Sequence, residues 1–198
     1  MDIFKEILAG SFKPVLKKEK FGKSGNKWNK TIDPLIYVVH LHKAILTEEE
    51  NDFRFVITFG ITLTGLHELT YGHTLKFYNT AHCMCLKEPR DIGFHRNVWD
   101  TLHFTDTEDW IIETGNFLQQ YLIPFFNKKK TIADVLSDIP QRVFENKKEN
   151  AMTLLKVAGA YVLDGRKNEG IHLLEEVIHA YNGNFNFARK ALERVKQF

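Results

Sequence analysis

Residues 53–64 read Phe-Arg-Phe-Val-Ile-Thr-Phe-Gly-Ile-Thr-Leu-Thr. Phe53, Phe55, Ile57, Phe59, Ile61 and Leu63 are apolar, Arg54, Thr58, Gly60, Thr62 and Thr64 are polar or small, and only Val56 breaks the alternation. A period of two sends successive side chains to opposite faces, so this segment is a strand buried on one side. It requires a sheet whose apolar face is covered and whose other face is free for other work. Gly60 inside such a strand marks a bulge or the close approach of another backbone.

The neighbouring segments extend the sheet. Pro34 precedes Leu35-Ile36-Tyr37-Val38-Val39-His40-Leu41-His42, a β-branched and aromatic run that reads as a second strand. The acidic turn Glu48-Glu49-Glu50-Asn51-Asp52 joins the two as an antiparallel hairpin with a long loop. One or two more strands are expected over 69–88. There Leu69, Tyr71, Leu75 and Phe77 share parity, as do Cys83 and Cys85, with Gly72 and Asn79 as breaks.

Helical spacing brackets the sheet. Phe4, Ile7, Leu8, Phe12, Val15 and Leu16 form an apolar stripe over 2–18. Pro14 is expected to kink that helix or to restart it after Gly10-Ser11. A Lys- and Gly-rich link over 17–27 ends at Trp28. Thr105-Asp106-Thr107-Glu108 has the form of a capping box. Trp110, Thr114, Phe117, Leu118, Tyr121, Leu122 and Phe125 follow it as a helical stripe, up to the breaks at Pro124 and Asn127. A short helix over 131–139 ends at Pro140. Beyond Gln141 three helices follow, interrupted near Gly165 and Gly183. The spacing of Leu154, Val157, Ala158, Tyr161, Gly170 and Leu174 resembles one tetratricopeptide unit. Such units stand alone only in several copies, so these helices are expected to pack on the sheet domain. The expectation is an α+β protein. Residues 1–139 form an antiparallel sheet of about four to five strands packed by helices, and residues 146–198 form a helical appendage docked on it.

Composition agrees with a packed core: 43% of the 198 residues are hydrophobic and 16 are Phe. The net charge of +2 gives no overall field for nucleic acid or acidic membranes. The two cysteines, Cys83 and Cys85, lie two apart and are poorly placed to bridge each other, which fits a reducing compartment. The N-terminal residues do not form a secretory signal, and the longest apolar run, 35–39, is too short to span a bilayer. A soluble cytoplasmic protein without membrane contact is expected.

Residues 1–139 resemble a bacterial family, domain-of-unknown-function family 4304. The resemblance rests on Phe12-Lys13-Pro14-Val15-Leu16-Lys17-Lys18 running into Phe21-Gly22-Lys23-Ser24-Gly25-Asn26-Lys27-Trp28, and on the long strand ending at Gly60. It continues through Arg90-Asp91-Ile92-Gly93 with Trp99, and Leu122-Ile123-Pro124-Phe125-Phe126. Glu19-Lys20 stands where a Gly is expected in the turn before Phe21. The resemblance implies an α+β domain, no established activity, and by analogy a role in toxin immunity or accessory binding.

His40 and His42 are the first candidates for a site. Two apart on a strand, they share a face, and parity places them beside Arg54, Thr58 and Thr62. Two imidazoles and a guanidinium suit a phosphate or carboxylate. A metal would need a further ligand, for which His67, Glu68, His82 and Asp91 are present without a motif to anchor them. No metal and no cofactor is therefore expected. His82-Cys83-Met84-Cys85 offers soft ligands at the wrong spacing for zinc, and its thiols read as small apolar residues. Lys13, Lys17, Lys18, Lys20, Lys23, Lys27 and Lys30, interrupted only by Glu19, suit an acidic protein partner. With Trp28 as a stacking residue they could also follow a phosphate backbone, but the stretch lacks the arginine that usually reads bases. Trp99 and Trp110 read as core or groove-lining residues. Phosphate-loop, nucleophile-elbow and zincin motifs are absent from the sequence.

These features favour a non-enzymatic binding protein that recognises another protein, of the immunity or accessory kind. The binding candidates are His40, His42, Arg54, Thr58, Thr62 and Trp28. The alternative is a small-molecule hydrolase or metal-dependent enzyme working on the polar sheet face through His40, His42 and Arg54.

Overall fold

The computed structural model describes residues 3–45, 53–100 and 106–198. Its centre is an antiparallel sheet of six strands: β1 Gly22–Ser24, β2 Lys27–Ile32, β3 Leu35–Ile45, β4 Phe53–Leu63, β5 Cys85–Lys87 and β6 Val98–Asp100. The order is β1-β2-β3-β4-β5, and β6 joins the same edge of β4 as β5. Strands β3 and β4 pair along their whole length, from Leu35 opposite Leu63 to Ile45 opposite Phe53. The acidic turn 48–52 and the capping residue Thr105 lie outside the described residues.

Parity divides the two faces of this sheet. Leu35, Tyr37, Val39 and Leu41 of β3 and Phe55, Ile57, Phe59, Ile61 and Leu63 of β4 all enter the main core. Two long helices cover them. Helix α1 runs through residues 3–18 and α3 through residues 107–128, and each contains a wide π-helical turn, Leu8–Phe12 and Leu118–Leu122. Each π turn stands just before an X-Pro pair, Lys13-Pro14 and Ile123-Pro124. Proline lacks an N–H and its ring crowds the carbonyl four residues back, so the preceding turn widens. The bond from Lys13 N–H to the Leu8 carbonyl, and that from Ile123 N–H to Leu118, span five residues. Pro14 therefore neither restarts nor ends its helix. Asp106 caps α3 by accepting from the Asp109 N–H at 3.0 Å.

The two helices touch through small groups. The Thr114 hydroxyl donates to Ser11 Oγ at 2.8 Å in a buried position. A Cβ on Gly10 would stand 2.7 Å from Ile111 Cδ1, so glycine permits this approach.

Two expectations need correction. The segment 69–77 adds no strand. Leu66–Tyr71 is a helix, α2, bounded by Gly65 and Gly72 at φ +79° and +84°, with Leu66, Leu69 and Thr70 on its buried side at helical spacing. The shared parity of Leu69 and Tyr71 had no structural meaning, and only Cys85–Lys87 forms a strand there. The lysine-rich link is a hairpin, β1–β2, turning at Gly25 with φ +61°. Its alternation is faint because Trp28 is its one buried residue. Lys20, where a glycine was expected, takes a left-handed φ of 64°.

The C-terminal region begins with two short helices, α4 Ile132–Leu136, capped by Thr131, and α5 Gln141–Glu145. Three longer ones follow: α6 Ala151–Leu163, α7 Lys167–Ala180 and α8 Asn186–Gln197. They enclose a second core that also takes in Leu69 of α2 and Ile139. Helix α6 lies against α2, where Gly159 leaves room for Leu66. Ala160 of α6 belongs to the main core as well, so the appendage is seated on the sheet domain.

Candidate functional site

The second sheet face is not uniformly open. Residues 72–84, between α2 and β5, cross it as a strap. Cys83 packs with Ile36 and Val38 of β3 and with Tyr78. Gly60 is what allows this: a Cβ there would stand 2.8 Å from Cys83 Cβ and 2.6 Å from the Cys85 carbonyl oxygen. Met84 N–H donates to the Ile61 carbonyl at 3.1 Å, and Asn29 exchanges two hydrogen bonds with the Tyr78 backbone at 2.7 and 3.0 Å. From behind, Lys156 of α6 donates its ammonium to the Ala81 and Cys83 carbonyls. That lysine is only 8% exposed, and burial lowers its pKa.

Burial decides which sequence candidates remain accessible. Thr62 is 1% exposed and Thr58 is buried, so neither is offered to a ligand from solvent. Trp28 lies on the helix-covered face, stacked on Phe12 with ring centroids 5.2 Å apart, and is unavailable to stack on a base. Arg54 faces Asp100, its cross-strand partner on β6, at 3.6 Å. Trp99 and Trp110 are core residues, as expected.

His40 and His42 remain partly exposed beyond the end of the strap. Their rings lie 3.6 Å apart between centroids. His42 Nε2 meets Thr58 Oγ1 at 2.8 Å, and Thr58 in turn donates to Thr80 Oγ1 of the strap at 3.3 Å. Opposite His40 on β2 stands Lys27. Burial, His42 and Lys27 together hold His40 down at about 4. Burial and Lys27 lower His42. Both imidazoles are therefore neutral at pH 7, each able to donate from one nitrogen and accept at the other.

A second group of imidazoles sits at the strap itself. His67 of α2 is edge-on to His73 at 4.5 Å and to His82 at 5.0 Å between ring centroids. His67 Nδ1 bonds the His73 carbonyl at 2.9 Å, and His82 Nδ1 accepts from the Asn79 N–H at 3.0 Å. Burial first, then His67, Lys156, Lys27 and His73, bring His82 to about 4. Sequence spacing could not reveal this group, because its members come from a helix and an irregular segment. Among the described residues no cluster of three or more His, Cys, Asp or Glu side chains is placed to hold a metal ion.

Neither thiol is held as a thiolate. Cys83 is buried and desolvation pushes it up to about 12, while burial also raises Cys85. A cleft of about 340 Å³ lies elsewhere, lined by Lys87, Asp91, Tyr121, Phe125 and Lys128 among others. Among the described residues no helix is long and apolar enough to cross a membrane.

The lysines of the N-terminal region surround the β1–β2 hairpin. Lys13, Lys17, Lys18, Lys20 and Lys23 are exposed. Lys23 lies over the Trp28 ring at 5.6 Å, and Lys30 lies over Phe21 and pairs with Glu19 at 3.5 Å. Lys27, the register partner of His40, stands on the histidine face of the sheet, whereas Lys23 and Lys30 lie against Trp28 and Phe21 of the helix-covered face.

Comparison of the chain with protein-family models, with curated proteins and with solved structures finds no match.

Proposed function

We propose that this protein is a non-enzymatic binding protein that recognises an acidic surface on another protein, in an immunity or accessory role. The resemblance of residues 1–139 to domain-of-unknown-function family 4304 is the source of that role by analogy. The observation that carries the reading is the pairing of Lys27 with His40. It puts one lysine of the basic arm beside two neutral imidazoles; Glu19 is the one acid in that arm, and it is taken by Lys30. A surface of this kind steers carboxylates by charge at a distance and accepts them by hydrogen bonding at contact. The short, lysine-bearing edge strand β1 also discourages pairing with another sheet. The stretch contains no arginine, which favours a protein over a nucleic acid as the partner.

The test is retention of a partner from source-cell extract on the immobilised protein. Elution should follow rising salt, because exposed charges are screened. Reversing Lys17, Lys18, Lys23 and Lys27 to Glu should abolish retention, and changing the same four to Arg should preserve it. A partner lost on nuclease treatment, or held unchanged by the charge-reversed protein, would overturn the reading.

A further inference from the structure

Five of the nine histidines lie along the junction between strap and sheet: His40, His42, His67, His73 and His82. They are connected. His42 reaches Thr58, Thr58 reaches Thr80, and Thr80 begins the short turn Thr80–His82 that carries His82 against His67. The charged and titratable groups facing this junction are mostly cations or neutral acids. Lys27 comes from β2 and Lys156 from α6. Tyr71 of α2 and Tyr78 of the strap have their phenols raised by burial. The buried Cys83 is a neutral thiol. Glu68 of α2 is a carboxylate felt there, at Tyr78.

We propose that the strap is an acid-released cover: imidazolium charge accumulating along its seam lifts residues 73–83 from the sheet and uncovers Ile36, Val38, Gly60 and the Cys83 thiol. The main core lies on the other face and stays packed. The geometry makes the seam vulnerable. Each added proton lands beside another imidazole or a lysine, in a half-buried setting where like charges are poorly screened. The strap's other fasteners are the Asn29–Tyr78 pair, the Lys156 clip, the Cys83 contact, the His67 bond to the His73 carbonyl and, at its end, the Met84 bond to Ile61.

The sign follows from linkage. A histidine whose pKa is lowered in place binds more protons when released, so the closed state loses stability as pH falls below 6.5, and the loss levels off near the depressed value. His82 alone, moving from about 4 in place to 6.5 when released, raises the open fraction about 20-fold between pH 7 and pH 5.

The experiment uses the full chain carrying Cys85→Ser, so that Cys83 is the sole thiol, and 2,2′-dipyridyl disulfide, which remains reactive in acid. The labelling rate is divided by that of N-acetylcysteine at each pH. Between pH 7 and pH 5 the ratio should rise about 20-fold, with the far-UV helical signal unchanged. His82→Gln retains an acceptor for the Asn79 N–H and should reduce the rise to a few-fold. His67→Gln serves as a second variant should His82→Gln already expose the thiol at pH 7. A ratio that stays flat overturns the proposal. So does a rise that both variants keep in full, or one that coincides with loss of the helical signal.

Discussion

Gly60→Ala is the sharpest test of how the second sheet face is closed. The new Cβ would lie 2.6 Å from the Cys85 carbonyl oxygen, 2.8 Å from Cys83 Cβ and 3.0 Å from its Sγ. Two of these three atoms belong to side-chain stubs or backbone that cannot swing aside, so the strap and β5 must move together. Such movement stretches the Met84 N–H bond to Ile61 and disturbs the pairing of Gly60 with Leu86. Overpacking of a dense site costs about 1–3 kcal/mol, and one weakened backbone bond adds about 1 kcal/mol. Alanine recovers about 0.4–1 kcal/mol by restricting the unfolded chain. The net expectation is a loss of about 2 kcal/mol, read as a lower midpoint in urea denaturation with an unchanged slope. Gly22→Ala is the control, since its Cβ would meet only the Asn29 carbonyl oxygen at an ordinary 3.7 Å. If Gly60→Ala and Gly22→Ala denature within about 0.5 kcal/mol of each other, outside the usual range for a core overpacking change, the strap does not rest on β4 as described.

Two further substitutions probe the supports of the same architecture. Lys156→Met removes the ammonium that serves the Ala81 and Cys83 carbonyls; a loss of about 1–3 kcal/mol is expected, together with faster amide exchange over 80–84 and little change in β3. Thr114→Val removes the hydroxyl whose one proton is shared between Ser11 Oγ at 2.8 Å and the Trp110 carbonyl at 2.6 Å; calorimetry should show a loss of about 1–2 kcal/mol, and Thr114→Ser should recover most of it.

The parts of the fold legible in the sequence are those where one physical effect dominates. Strands β3 and β4 are long and buried on one side, so their period is clean. Helices α1 and α3 carry stripes long enough to survive the π turns at Leu8–Phe12 and Leu118–Leu122. What escaped detection was short or doubly constrained. Strands β1, β5 and β6 have three residues each, too few to display a period. Helix α2 has only six residues, and its identity depends on the C-terminal helices that bury Leu69. At the site, parity placed His40, His42, Thr58 and Thr62 on one face as expected. It could not show that a strap from outside the sheet would meet Thr58 through Thr80, that Thr62 would be buried, or that the histidines would stay partly exposed. Nor could it show that Trp28 would turn toward Phe12.

The two proposals meet at Lys27, and linkage ties them together. Lys27 adds to burial in lowering His40 and His42 and, behind His67 and Lys156, His82, so it belongs both to the basic arm and to the seam. An acidic partner seated on Lys27 would offset its charge, raise the pKa of His82 in the closed state, and so shift strap release to lower pH. By reciprocity, a closed strap must hold such a partner more tightly than a released one at the same acidity. The coupling is carried by one side chain, which makes it separable. Lys27→Met should weaken partner retention and at the same time make Cys83 labelling less steep in pH. Lys17→Glu with Lys18→Glu lies outside the seam, and should weaken retention alone.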